Sequence, residues 1–585
     1  MAKKSNKSTA AAKQARSSTE PSRQAGASSD EIGVTASSKP PLSIPSKLLD
    51  FRVQRGLQLI LLAALSASLS QLNLSPVYGA IPAGVYHRYG LTVSFLIAVV
   101  IRGYLPKGLS RWIATFSFWI PSIQFVLFQL SSSLGNPYGP LVTELLTCYP
   151  LVITSICTAI GFFDNPLYVG TENLLNDTVP AMGLFVLFAL LQRAAKSTIN
   201  SFSGPGFLRS RIGLQLIVGI FYAMVIPKSL VWPAFPSVII TMVANPHCTL
   251  TKTTDVLNNT LALYDYTLLD RKESITGYIS VLEDNQKGFR AMRCDHSLLG
   301  GEWKVPVVEG AAKKVGDPIY SIFTMLEAVR LVQPASSTLE KTALNIGLGI
   351  GTAPSAMIAH GINTTILEID PVVHEFAVKY FDLPHNHSYY IGDAVAAVDS
   401  SVANAQTSPS TSEAESYDYI IHDVFTGGAE PAELFTNEFL SGLHLLLKAD
   451  GVIAINYAGD LAMPSASIIY RTITSVFPSC RVFREEEAAE PNTQPDDFTN
   501  MVFFCRKTDI PVTFRKPVEA DFLGSRFRRE YLLPKHEIPS SAFETKVDIL
   551  RRGKTKELEK WQAKSAIGHW RVMRSVLPDA VWINW

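Results

Sequence analysis

The chain has 585 residues, more than one domain usually holds, so at least two folding units with substantial cores are expected. Its 52 Lys+Arg against 51 Asp+Glu leave a formal charge of +1, which removes any global electrostatic reason for a nucleic-acid partner. Hydrophobic residues make up 47% and charged residues only 18%, against about 25% in ordinary soluble domains, and this deficit points to membrane segments.

Residues 1–55 are rich in Ser, Ala, Lys and Gln and nearly free of aromatics, so they cannot bury enough apolar surface to offset ordering entropy; a disordered tail is expected. From Leu57 the character changes. Apolar runs near 57–80, 90–106, 112–132, 140–162, 178–194 and 212–244 alternate with short polar connections, and most approach the roughly 20 residues a transmembrane helix needs. Residues 56–245 therefore read as a multi-span α-helical transmembrane bundle with a lipid bilayer as partner. Pro227, Pro233 and Pro236 break the last run into one kinked span or two shorter ones. Lys39, Lys47, Arg52 and Arg55 beside the first span place the N-terminus on the cytoplasmic side, and an even number of spans returns the soluble part there. Glu144 is one of few ionisable residues within the runs, so no transport path is evident.

Residues 262–310 contain SITGYISVLED (274–284) and FRAMRCDHSLLGG (289–301), whose alternation and glycine turns predict a small antiparallel β-domain. A helix fits residues 318–332, with Ile319, Phe323, Leu326 and Val329 on one face. Residues 311–506 then alternate strand, glycine-rich turn, helix and strand, which predicts an α/β Rossmann-like sheet. Candidate strands are 343–349, 364–370, 388–392, 417–424 and 451–457, with a flexible loop between Asp399 and Ser416. The stretch 507–585 is basic and is expected to form a helical extension with a solvated face. The six cysteines show no pairing or zinc pattern, so reduced, mostly buried thiols and no metal are expected.

The chemistry gathers at four strand ends. Gly347, Gly349 and Gly351 follow an apolar strand, where the chain must turn sharply and let a ligand approach the backbone. Glu368, about 20 residues on, ends the next strand, where an acid can accept ribose hydroxyls. Asp393 and Ala394 follow the third strand, where a short acidic turn can bind an adenine amine. Asp423 ends the fourth. The G-x-G-x-G-x-A-P order in place of G-x-G-x-x-G, with the extra acid at Asp393, favours a sulfonium nucleoside over a dinucleotide.

These residues, over roughly 270–506, resemble the spermidine/spermine synthases (aminopropyltransferases). The resemblance implies that Gly347, Gly349 and Gly351 form the donor loop, Glu368 the ribose acid, Asp393 the adenine-side acid and Asp423 the catalytic aspartate. It also implies decarboxylated adenosylmethionine as donor and a small-molecule amine as acceptor, with Asp423 taking the amine's proton. A homodimer is the assembly expected. Tyr320, Thr426 and Glu430 are candidates for the acceptor pocket. Thr426 stands where the family carries a second acid, and a threonine cannot neutralise an ammonium. Two other functions therefore stay open: methyl transfer from ordinary S-adenosylmethionine, and non-catalytic binding of a polyamine or nucleoside.

Overall fold

A computed structural model describes residues 50–106, 108–163, 174–304, 315–333, 340–407, 417–424, 429, 431–487, 498–544 and 546–585. The tail expected over 1–55 lies outside them up to residue 49; its last residues open the first helix. Eleven helices among the described residues form the N-terminal half: α1 (Phe51–Tyr78), α2 (Ala80–Gly84), α3 (His87–Ile101), α4 (Ile113–Phe128), α5 (Ser131–Leu134), α6 (Tyr138–Leu146), α7 (Cys148–Phe163), α8 (Leu174–Phe202), α9 (Arg211–Val225), α10 (Phe235–Val243) and α11 (Thr251–Ala262). Asp50 caps α1 by accepting the Arg52 amide, and Gly79, at φ 84°, ends it. α1 is the spine of this half: its Leu59, Ile60, Ala63, Ala64 and Ala67 are buried in one core with residues of α3, α7, α8 and α9.

Fewer long spans result than the six apolar runs lead one to expect. Among the described residues, three helices are long and apolar enough to cross a membrane, within Phe51–Tyr78, Ala80–Ile101 and Pro180–Phe202; α6 and α7, bent by 40°, make a fourth if they act as one. The last run splits into the shorter α9 and α10, because Pro233 and Pro236 stand where the second helix begins. Glu144 is fully satisfied inside the bundle. Its carboxylate accepts from Ser70 Oγ at 2.9 Å, Gln71 Nε2 at 3.2 Å and Tyr149 OH at 2.7 Å, and His87 Nδ1 lies 2.6 Å away.

The second half opens with the antiparallel meander β1 (Tyr266–Glu273), β2 (Tyr278–Asp284), β3 (Phe289–Cys294), β4 (Ser297–Trp303) and β5 (Asp317–Pro318). It continues through α12 (Ser321–Leu326), β6 (Val332–Gln333), β7 (Thr342–Ile346), α13 (Thr352–Ala359), β8 (Asn363–Glu368), α14 (Pro371–Tyr380), β9 (Ser388–Ile391), α15 (Ala394–Thr407), β10 (Tyr417–His422), α16 (Asn437–Leu446), β11 (Leu447–Asp460), α17 (Pro464–Val476), β12 (Ser479–Arg484) and β13 (Phe498–Arg506). After these come β14 (Thr513–Phe514), α18 (Arg526–Tyr531), β15 (His536–Ile538), α19 (Lys556–Val576) and α20 (Asp579–Ile583). The main sheet runs β15-β12-β13-β11-β10-β7-β8-β9, parallel from β11 to β9 and antiparallel at its other edge. The chain reverses direction across the sheet between β7 and β10, the place where open parallel sheets bind ligands.

Four expectations are corrected. The loop expected between Asp399 and Ser416 is helix α15 as far as Thr407, and residues 408–416 lie outside the described residues. The helix fitted to 318–332 is only α12, continued by a 3-10 segment, Glu327–Leu331. Cys480 and Cys505 are joined by a disulfide, because the register of β12 and β13 sets them opposite each other. The stretch after 506 is no solvated extension: β15 pairs with β12, α19 buries Leu558, Ala566, His569, Trp570 and Met573 at helical spacing, and Trp582 and Trp585 are inaccessible.

The two halves are locked together by charge. Arg211, fully buried at the start of α9, donates to Glu273 Oε2 and Asp295 Oδ1, each at 2.8 Å, and to Ser75 Oγ and the Leu72 carbonyl of α1. Ser75 Oγ donates in turn to Asp295 at 2.7 Å, and Arg293 reaches the Pro76 carbonyl at 2.7 Å. Trp585 stacks on His247 with ring centroids 4.7 Å apart and closes the same seam. Removing one partner of a buried pair strands the other charge at a cost of about 3–5 kcal/mol. Arg211→Met should therefore lower the thermal unfolding midpoint of the full chain by several degrees, and an unchanged midpoint would show the seam to be incidental.

Candidate active site

Backbone hydrogen bonds carry the main sheet one step past its strand ends. The Gly347 amide donates to the Leu367 carbonyl, Asp423 to Ile346 and Gly392 to Glu368, all at 2.8–2.9 Å. These bonds hold the glycine turn, Glu368, the Asp393 turn and Asp423 at one level, on the rim of a cavity of about 1270 Å³.

Gly347 and Gly349 have positive φ, and an added Cβ would strike the Asp423 carbonyl at the first and the Leu299 carbonyl at the second. Gly351 plays another part. It is the left-handed cap of α13, packed near Leu383, and does not border the cavity. Glu368 is buried, and its two carboxylate oxygens accept from the Leu348 amide at 2.9 Å and the Asp370 amide at 2.8 Å. Each oxygen keeps a lone pair for a ligand hydroxyl. Burial lifts this acid to about 7, against the pull of those amides. Asp393 accepts from the Val395 amide at 2.9 Å and borders the cavity beside Ala394.

Asp423 faces the same space. Its Oδ1 accepts from Asn456 Nδ2 at 2.8 Å, and burial raises its carboxyl to about 6. Tyr320 lines the cavity just before α12, and its buried hydroxyl has no partner among the described residues. Thr426 and Glu430 lie outside the described residues.

Several lining residues went unnoticed in the sequence. Asn456 stands one residue before the end of the predicted strand 451–457, so the strand-end reasoning that singled out Asp423 could have found it; its buried Oδ1 has no partner among the described residues. Glu485 accepts from Ser321 Oγ at 2.6 Å and Asn500 Nδ2 at 2.9 Å, while Glu486 and Glu487 stand beside it at the rim. His569 of α19 is held neutral by burial, which lowers it to about 4. Nothing in the sequence pointed to Gly79, Ala80 and Ile81, through which the helical half reaches the cavity. Among the described residues no group of three His, Cys, Asp or Glu could hold a metal ion.

A glycine cradle beside a sheet-end acid, with a second acid on the next turn, fits an adenosyl sulfonium that carries no pyrophosphate. The fold and the site are those of an adenosylmethionine-dependent transferase. The chain is 45% identical over 550 residues to an N-terminal histidine N-methyltransferase from Emericella nidulans, covering 91% of this chain and 97% of that protein. It belongs to that family. It is an adenosylmethionine-dependent methyltransferase, with S-adenosylmethionine as its co-substrate. A polyamine aminopropyltransferase from Vibrio vulnificus is 32% identical over only 187 residues, 31% of this chain and 56% of that protein. A probable spermidine synthase from Corynebacterium glutamicum superposes at a TM-score of 0.36 with 15% identity over 49% of this chain and 96% of its own. No family model matches the chain.

The aminopropyltransferase assignment is thereby overturned. The strand-end residues that suggested it meet on one cavity rim, and such a rim does not distinguish one transferred group from another. The long relative, by contrast, matches the helical half as well.

Glu368 sits near 7, and a carboxylate accepts hydroxyl hydrogen bonds best when ionised, so adenosylmethionine held there should bind more tightly as pH rises from 6 to 8. Charged hydrogen bonds are worth about 1.5–3 kcal/mol. Glu368→Gln should therefore weaken binding tenfold or more at pH 8 and flatten the pH dependence in calorimetry. An equally steep dependence in the variant would assign the titration to another group.

Proposed function

We propose that the protein transfers a methyl group from adenosylmethionine to a ring nitrogen of a histidine at the amino terminus of a polypeptide. The observation that carries this reading is the 45% identity, along almost the whole of both chains, to a protein named for that acceptor. The acceptor side of the cavity agrees with it chemically. An α-ammonium beside carboxylates such as Glu485, Glu486 and Glu487 stays protonated and serves as an anchor. An imidazole, with an ordinary pKa near 6.5, is mostly neutral at pH 7 and carries a nucleophilic lone pair.

In this reading the ring nitrogen attacks the sulfonium methyl, the carbon–sulfur bond breaks with its electrons going to sulfur, and adenosylhomocysteine leaves. The methylated ring is then an imidazolium until the proton on its other nitrogen departs. Asp423, fixed by Asn456, receives that proton and, before it, holds the tautomer whose lone pair faces the donor. Tyr320 lends its free hydroxyl to the same pocket.

Peptides beginning with histidine should gain one methyl, while the same peptides with alanine placed before the histidine should not. Activity should rise with pH through about 6 as Asp423 ionises, and Asp423→Asn should lower kcat by about 10²–10⁴ and remove that limb. Equal methylation of both peptides would sink the proposed acceptor.

We further propose that the helical half sits in a bilayer. Supporting this, α3 exposes Tyr89, Val93, Leu96 and Val100, α8 exposes Met182, Val186 and Leu190, and α10 exposes Phe235, Ile239 and Val243, stripes at helical spacing left uncovered among the described residues. The full chain should stay with the membrane pellet after an alkaline carbonate wash. Release into the supernatant would contradict it.

A further inference from the structure

A second groove, of about 440 Å³, adjoins the catalytic cavity and shares Ile81, Pro431 and Glu433 with it. Its other walls are Ala429, Ala432 and, at the start of α19, Thr555, Glu559 and Gln562. α19 spans both spaces: His569, Val572 and Met573 border the cavity and Glu559 and Gln562 the groove. From Met573 to Glu559 the helix rises about 20 Å, the reach of about six extended residues.

We propose that this groove is the exit path for the acceptor polypeptide, holding the residues that follow the methylated one in an extended conformation. The inference rests on the acceptor assigned above. A terminal residue buried at Asp423 must be followed by chain that leaves the cavity, and the groove is continuous with it. Ile81, Ala429, Pro431 and Ala432 offer an apolar wall for side chains, and Thr555, Glu559 and Gln562 line the polar side. Glu433 and Glu559 stand on the rim, and Glu559 is already fixed by Thr555 Oγ1 at 2.6 Å. Neutral or basic residues are therefore favoured there over acidic ones. The helical half is then part of the acceptor site, since Ile81 belongs to α2.

The test compares kcat/KM of the full chain on a histidyl dipeptide amide and on an octapeptide beginning with the same two residues. The octapeptide should be preferred at least tenfold. Gln562→Trp, which fills the groove from an intermediate-exposure helix position, should cut that preference about tenfold, and Glu559→Lys should shift it toward acidic residues at positions three to six. No length preference in the parent enzyme, or a preference untouched by both variants, would overturn the groove. Loss of methylation on every peptide by the parent enzyme, with adenosylmethionine still bound, would instead overturn the acceptor reading and the groove with it.

Discussion

Arg211 has no solvent around its guanidinium, and everything that neutralises it comes from elsewhere in the fold: Glu273 at the end of β1, Asp295 in the turn after β3, and Ser75 and a carbonyl of α1. Buried charges of this kind are stable only as a complete set. The set exists only when the helical half and the meander are docked, so the position of the α1–α2 turn follows from it. That turn brings Gly79 and the first residues of α2, Ala80 and Ile81, to the cavity wall, and Asp295 itself is part of the same wall. The helical half is thus a structural part of the active site as well as the seat proposed for a membrane.

Within the cavity two carboxylates are held at different work by their surroundings. Glu368 is tied down by two amides and lifted to about 7; Asp423 has one side-chain donor and is lifted to about 6. The first suits hydroxyl recognition at the nucleoside, the second proton acceptance at the acceptor. A raised carboxylate favours the protonated folded state, so Glu368 contributes stability that is fully present below about 4.5 and is lost as pH climbs through 7. The site therefore gives up some stability at neutral pH in exchange for a group that can titrate there.

The rim of strand ends was legible in the sequence because each of its residues follows an apolar run. Gly347, Gly349, Glu368, Asp393 and Asp423 all meet on one rim as that pattern implies. Gly351 did not, since a helix start needs a left-handed residue for reasons of its own. The rest of the cavity wall was legible only at Tyr320, and Asn456 lay within reach of the strand-end reasoning. Glu485, His569 and Ile81 come from three segments separated in sequence, joined by tertiary packing that no local period records. The C-terminal stretch misled for a related reason: its charges are conspicuous, whereas the buried stripe through Leu558, Ala566, His569, Trp570 and Met573 lies on the other face of the same helix. The transferred group was misjudged because adenosylmethionine and its decarboxylated form present the same nucleoside to these residues.

A structure of the full chain with adenosylhomocysteine and a peptide beginning with histidine tests the account most directly. The account predicts the imidazole between the sulfur and Asp423, with the carboxylate at hydrogen-bond distance from the ring nitrogen turned away from sulfur, and the following residues passing Ile81. A peptide bound with its ring away from the sulfur, or seated without contact to the α1–α2 turn, would contradict it.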